Sequence, residues 1–316
     1  MNLPFFVEPC GPEVYAVDTG FQRERFDAAY LVTSRGRAAF IDTGTRFALP
    51  RLLGALDALG LARNAVDYVI PTHVHLDHAG GAGALMAELP AARLVVHPRG
   101  APHLIDPGRL WEGALAVYGA EEMARSYGAL TPVPAERVLP SADGMKLELG
   151  GRELLFADTP GHARHHHCIW DAASRGWFCG DTFGLSYREF DSARGPWILP
   201  TTTPVQFEPE ALHASIERLL SFTPDCLYLT HFGRVTDVPR LGALLLDLLE
   251  RTVTMARALP ADAQREPALR RGLFEIYAAS LAEHGCPLGR SQLEALLEID
   301  LRLNAQGMSI WLGRGR

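Results

Sequence analysis

Thr72-His73-Val74-His75-Leu76-Asp77-His78-Ala79-Gly80-Gly81 is the stretch that decides how this chain is read. Positions 73 to 78 hold three histidines and a carboxylate. His73 and His75 are two apart, so on an extended segment both side chains leave the same face. Working outward, Val66 to Ile70 is a short apolar run interrupted only by Asp67, which suits a strand buried on both faces. On the other side, Ala79 to Glu88 reads as a helix with glycines at its start. The four polar side chains therefore converge where a strand ends and a helix begins. Neutral imidazoles with a carboxylate suit zinc, iron or manganese. The plainer alternative is a polar loop whose histidines bond to backbone. One histidine would fit it; three with Asp77 favour a metal.

The run Thr-His-Val-His-Leu-Asp-His resembles the HxHxDH signature of the metallo-β-lactamase superfamily. Three further motifs follow in that family's order. Asp158-Thr159-Pro160-Gly161-His162 resembles the second, Cys179-Gly180-Asp181-Thr182 the third and Leu229-Thr230-His231-Phe232-Gly233 the last. The resemblance covers about residues 12 to 235. It implies an αββα sandwich, where sequence pattern alone supports only a mixed α+β chain. It also implies a ligand set. His73, His75 and His162 would hold one metal, Asp77, His78 and His231 a second, and Asp181 would bridge them. The cofactors implied are two divalent ions, zinc first, with iron or manganese as alternatives. Ions roughly 3.5–4 Å apart can share a hydroxide that serves as nucleophile. Asp77 is then the catalytic residue, orienting the hydroxide and passing a proton onward. Asp42, after the strand Arg37 to Ile41, resembles a family Asp that lies beneath the metals; a turn carboxylate capping local N–H groups explains it equally well.

The chain has 316 residues, 47% of them hydrophobic, enough for one large domain or two smaller ones. Its net charge of −7 and lack of a basic run argue against a nucleic-acid partner. No apolar run approaches a membrane span, and the N-terminus lacks the basic and apolar regions of a signal peptide. Five scattered cysteines without a CxxC pair read as buried small hydrophobes in a reducing compartment. A cytoplasmic protein acting on a small molecule is expected, and a homodimer is compatible with all of this.

Taken in order, Val14 to Val17, Ala28 to Thr33 and Arg37 to Ile41 read as strands, and Ala48 to Leu61 as an amphipathic helix. Arg93 to His97 is a strand that His97 closes. Residues 99 to 135 are looser, with a helical stretch from Arg109 to Tyr127 whose aromatic residues could wall a pocket. A second block of strands follows. Lys146 to Leu149 and Glu153 to Ala157 are joined by Gly150-Gly151, Cys168 to Trp170 pairs with Trp177 to Cys179, and Cys226 to Leu229 leads to His231. Glu208 to Leu220 is helical. From Val238 the pattern is helical again: Leu241 to Leu259, Ala268 to His284 and Ser291 to Leu303, with Gly307 to Leu312 closing as a short strand. The expected division is a catalytic domain at 1–237 and a helical region at 238–316.

Details within the family narrow the chemistry. Asp181, rather than Cys, and His75, rather than Glu, point away from one class of true β-lactamase and from the di-iron oxygen reductases. The Thr-Pro-Gly-His run and the C-terminal helices look most like the glyoxalase II and lactonase branches. The implied reaction is hydrolysis of an ester, lactone or thioester by the bridging hydroxide. Two alternatives stand beside it. One is a persulfide dioxygenase with a single iron on His73, His162 and Asp181; the other is a metal-binding protein without catalysis. Substrate contacts are expected from Tyr187 and Arg188, close after Asp181, and from His166, within the unusual run His165-His166-His167.

Overall fold

The computed structural model describes residues 3–202 and 205–314. Chain contacts divide it into two compact units: Met1–Asp158 with His165–Gly180 and Asp225–Thr236, and Thr159–Arg164 with Asp181–Pro224 and Asp237–Arg316.

The first unit carries two sheets. One has the order β1-β2-β3-β4-β5-β6-β7, built from Val7–Gly11, Val14–Asp18, Ala28–Ser34, Arg37–Ile41, Val66–Ile70, Arg93–Val96 and Val138–Pro140. Its first four strands are antiparallel neighbours, while β4 to β7 run parallel. The other has the order β13-β12-β11-β10-β9-β8, from β8 (Lys146–Leu149), β9 (Arg152–Asp158), β10 (His167–Asp171), β11 (Gly176–Gly180), β12 (Cys226–Leu229) and β13 (Gly233–Val235).

Period-2 alternation splits each central strand of the first sheet between two cores. On β3, Ala29 and Leu31 join one core, while Ala28, Tyr30 and Val32 join the other. On β4, Ala38 and Phe40 separate in the same way from Ala39 and Ile41. The first core lies against helices α1 (Leu49–Ala58), α2 (Leu76–Ala79), α3 (Ala82–Glu88) and α4 (Ala101–Ile105). The second lies between the sheets and takes Phe156, Ile169, Phe178 and Tyr228 from the second sheet. Polar ties cross that interface. The Tyr30 hydroxyl on β3 donates to the Leu229 carbonyl on β12. Buried Arg152 binds Asp171 of its own sheet through two nitrogens and donates to the Pro12 and Thr33 carbonyls of the other. The stretch between β6 and β7 also supplies α5 (Gly108–Tyr118) and α6 (Ala120–Glu122).

The second unit is helical: α7 (Pro209–Ser221), α8 (Val238–Ala258), α9 (Arg265–His284), α10 (Arg290–Leu296) and α11 (Glu298–Arg314). On α8, Leu241, Leu245, Leu248, Leu249 and Val253 are buried at helical spacing. The third helix expected at 291–303 is two helices, α10 and α11, and the second continues far past Leu303. The strand expected at Gly307 to Leu312 is therefore part of α11. Leu301, Asn304, Ala305 and Met308 are buried at intervals of three, one and three residues, a helical face packed on α9 and α8, and that packing overrides the strand preference of Ile310 and Trp311. No helix among the described residues is long and apolar enough to cross a membrane.

Candidate metal centre

In the first unit the signature begins where β5 ends. The expected helix from Ala79 is interrupted: α2 is a single turn and α3 restarts at Ala82. The chain bends there because Gly80-Gly81 runs against the loop after β4. The Gly81 N–H donates to the Gly44 carbonyl at 2.9 Å. A Cβ on Gly81 would sit 2.8 Å from the Thr45 carbonyl oxygen, so no larger residue fits without moving backbone.

Asp42, directly after β4, is the anchor of this region. It is almost wholly buried at 1% exposure, with φ at +55°. Its carboxylate accepts the Thr72 N–H at 2.7 Å, the Thr72 hydroxyl at 3.0 Å and the Thr230 hydroxyl at 2.8 Å. It also lies 2.8 Å from His78 Nδ1. Thr72 Oγ1 is in turn 3.1 Å from His73 Nδ1. One carboxylate thus ties the ends of β5 and β12 together and orients two histidines of the signature. The turn-carboxylate reading of Asp42 holds, and the same carboxylate meets His78 directly and His73 through Thr72.

With Nδ1 of His78 committed to Asp42, its Nε2 is the atom left to face inward; it lies 3.9 Å from Asp77 Oδ2. His231 repeats the arrangement. Its Nδ1 donates to the Phe26 carbonyl at 2.9 Å, and its Nε2 lies 3.5 Å from the same Asp77 oxygen. Asp77, His78 and His231 offer one ligand atom each, all within 4.8 Å of one another. A ligating imidazole commonly donates its other N–H to a carboxylate or carbonyl, which fixes its tautomer and raises its basicity. Both histidines are built this way. His73 Nε2 and His75 Nδ1 face each other at 2.8 Å. The chemistry of this donor set fits a divalent transition metal.

His165, His166 and His167 lie in the first unit too. His166 is fully buried, its ring stacked on His73 at 4.8 Å between centroids. Gly180 (φ +47°) is what admits it: a Cβ there would come within 2.6 Å of His166 Nε2 and 2.5 Å of Thr72 Oγ1. His167 Nδ1 pairs with Ser141 Oγ at 2.7 Å. His97 follows β6 and donates from Nε2 to Asp158 at 3.2 Å.

Burial pushes the imidazoles of His165 and His167 down to about 3, with neighbouring histidines adding to it. Each folded value lies below the ordinary one near 6.5. Each therefore contributes stability that is complete above about pH 6.5 and is lost as pH falls toward about 3, at up to roughly 1.4 kcal/mol per pH unit. Urea unfolding of the metal-stripped chain at pH 4 to 7 should show this slope, and His167→Gln should lower it by one proton. An unchanged slope would show that His167 does not resist protonation.

In the second unit, His162 and Asp181 come together. His162 Nε2 lies 3.4 Å from Asp181 Oδ2, and His162 Nδ1 lies 2.6 Å from Thr201 Oγ1. Tyr187 is fully buried here, and its hydroxyl donates to Asp300 at 3.1 Å. Arg188 donates from Nε to the Ser186 carbonyl at 3.2 Å and lies 3.4 Å from Asp191. The bracing hydroxyls of Thr72, Thr230 and Thr201 carried no signal of their own. Thr72 and Thr230 each directly precede a motif histidine, but Thr201 is 39 residues from His162.

The metallo-β-lactamase superfamily family model matches residues 23–231, about two-thirds of the chain. The chain belongs to the metallo-β-lactamase superfamily. Among curated superfamily relatives, a hydroxyacylglutathione hydrolase of Acidiphilium cryptum is 31% identical over 205 residues, 64% of this chain and 62% of that protein. A metallo-β-lactamase fold-containing protein of Sulfurisphaera tokodaii is 27% identical over 175 residues, 54% and 62% respectively. The chain thus spans about six-tenths of the length of these relatives. Among solved structures, a metallo-β-lactamase family protein of Thermus thermophilus superposes with a TM-score of 0.68 at 21% identity, covering 96% of this chain and 94% of its own. That likeness shows the same fold, an α+β sandwich; the helical C-terminal region is given by α8 to α11 of this chain.

Proposed function

We propose that this chain is a dinuclear metal-dependent hydrolase acting on a small-molecule ester, lactone or thioester. The observation that carries the reading is the pair of braced imidazoles, His78 and His231, both presenting Nε2 toward Asp77. The superfamily's ligand pattern joins this set to the others. In this reading Asp77, His78 and His231 would hold one ion, His73, His75 and His162 would hold the other, and Asp181 would contribute to both. Divalent ions held there, zinc foremost, would supply Lewis-acid polarisation of a carbonyl and ionisation of water near neutral pH. The catalytic domain is residues 1–237, with 238–316 as its helical extension.

The protein's own groups handle orientation and protons. Asp77 would accept a proton from the attacking water on its carboxylate and deliver it to the leaving oxygen or sulfur. Asp42 and the Phe26 carbonyl keep His78 and His231 in the Nδ1–H tautomer. His166, stacked on His73, and Tyr187 and Arg188, close after Asp181, remain the residues proposed for substrate contact, with Tyr187 held by Asp300 and Arg188 by Ser186. The hydroxyacylglutathione hydrolases among the relatives make thioesters the first substrates to screen, followed by lactones and simple esters.

Elemental analysis after gentle purification should find two metal ions per chain. His231→Ala should lose one of them and retain most of the other, because only one ligand set includes His231. Unchanged occupancy of both ions in that variant would refute the assignment. The braced second set favours hydrolysis over the single-iron dioxygenase. One iron per chain, with oxygen uptake on a persulfide and no hydrolysis, would reverse that preference.

A further inference from the structure

The helical region has a direct connection to a ligand. Asn304 on α11 is buried at 2% exposure. Its side-chain oxygen accepts the Thr202 N–H at 2.8 Å, and its side-chain nitrogen donates to the Pro200 carbonyl at 3.2 Å. Its own carbonyl accepts the Thr202 hydroxyl at 3.1 Å. Two hydrogen bonds of the Asn304 side chain therefore grip the backbone on both sides of Thr201, and a third ties the Thr202 side chain to the backbone of α11. The amide supplies a donor and an acceptor together here; ionised Asp lacks the donor and Leu lacks both.

Thr201 is the residue being held, and its hydroxyl has a defined direction. Oγ1 donates to the Asp181 carbonyl at 3.3 Å. Its single proton is thereby used, so toward His162 Nδ1, at 2.6 Å, it acts as acceptor. His162 then carries its proton on Nδ1 and presents a lone pair at Nε2, on the side of Asp181 Oδ2. With the hydroxyl reversed, Nε2 would carry the proton and could not ligate a metal. Thr201, His162 and Asp181 are all buried, so water does not replace a lost partner cheaply.

We propose that Asn304 is a positioning residue: by locking residues 200–202 it fixes the Thr201 hydroxyl, and through it the metal-binding tautomer of His162. The C-terminal helix is then a working part of the metal centre. The role rests on His162 being a ligand, as the proposed function holds.

The test uses the full chain and three variants: Thr201→Val, Asn304→Leu and the double variant. Zinc affinity is measured by chelator competition. Loss of a group that orients a ligand typically costs 10–100-fold in metal affinity. Thr201→Val and Asn304→Leu should each weaken the zinc held by the His162 set by about that factor, and the double variant should fall no further than the weaker single, because both break one chain of contacts. A purely structural role for Asn304 would lower the melting temperature and leave zinc affinity unchanged, which overturns the proposal; so would losses that add in the double variant. A second readout needs no metal. Imidazole ¹⁵N shifts of the metal-free protein should show His162 protonated at Nδ1 in wild type and mixed in Asn304→Leu. Wild-type protein that binds no zinc yet shows this tautomer change would sink the metal reading and keep the clamp; an unchanged tautomer in folded Asn304→Leu would sink the clamp itself. Thr201→Val serves where Asn304→Leu does not fold, since it leaves α11 intact: a wild-type zinc affinity and His162 tautomer in that variant would overturn the proposal.

Discussion

Metal-replete Asp77→Asn should turn over its substrate about 10²–10⁴ times more slowly than wild type, while folding normally. The asparagine keeps the size and one acceptor oxygen but removes the charge. Asp77 sits in the first turn of α2 with its side chain 23% exposed, so it can meet both solvent and the inner Nε2 atoms of His78 and His231. Asp77 lies outside the strands of both sheets, so the fold is expected to survive the change. The activity loss corresponds to about 3–5 kcal/mol of transition-state stabilisation. It should appear in kcat with metal content measured on the same sample, so that lost ions are not mistaken for lost chemistry. The substrate comes first, from the thioester and lactone screen. Turnover at the wild-type rate with both ions present would remove Asp77 from the mechanism.

The signature and the strand that delivers it were legible because they are local. His73, His75, Asp77 and His78 lie within six residues, and β5 before them is a clean apolar run. The order of the remaining motifs pointed to His162, Asp181 and His231 only through family resemblance; spacing in one sequence does not bring residue 231 to residue 77. What stayed hidden is the support. Thr201 meets His162 across 39 residues and Asn304 meets Thr202 across 102, through side chains that are common in loops and helices. The C-terminal end of α11 was misread for a related reason. Ile310 and Trp311 favour strands locally, and only packing on neighbouring helices decides otherwise. The break at Gly80-Gly81 was equally out of reach, since it depends on the loop at Thr43 to Thr45.

The largest effect on the centre as a whole is expected from Asp42→Asn. Asn tolerates the left-handed backbone at this position, so strain is not the issue. The carboxylate accepts from the Thr72 N–H, the Thr72 and Thr230 hydroxyls and His78 Nδ1, which uses its acceptor capacity nearly in full. An amide offers one oxygen and turns an NH₂ toward the other donors. At least two buried donors then lack an acceptor, at about 1–3 kcal/mol each. Stability of the metal-stripped chain should fall by about 2–5 kcal/mol, read from urea unfolding. Metal affinity should fall at least 10–100-fold, because His78 is freed to adopt the wrong tautomer and His73 loses its Thr72 brace. Thr230→Val removes a single donor and leaves the carboxylate intact, so it should cost about 1 kcal/mol and spare most of the metal affinity. If Asp42→Asn matched Thr230→Val in both measurements, Asp42 would be an ordinary turn residue, and the ligands would owe their orientation to the strand ends alone.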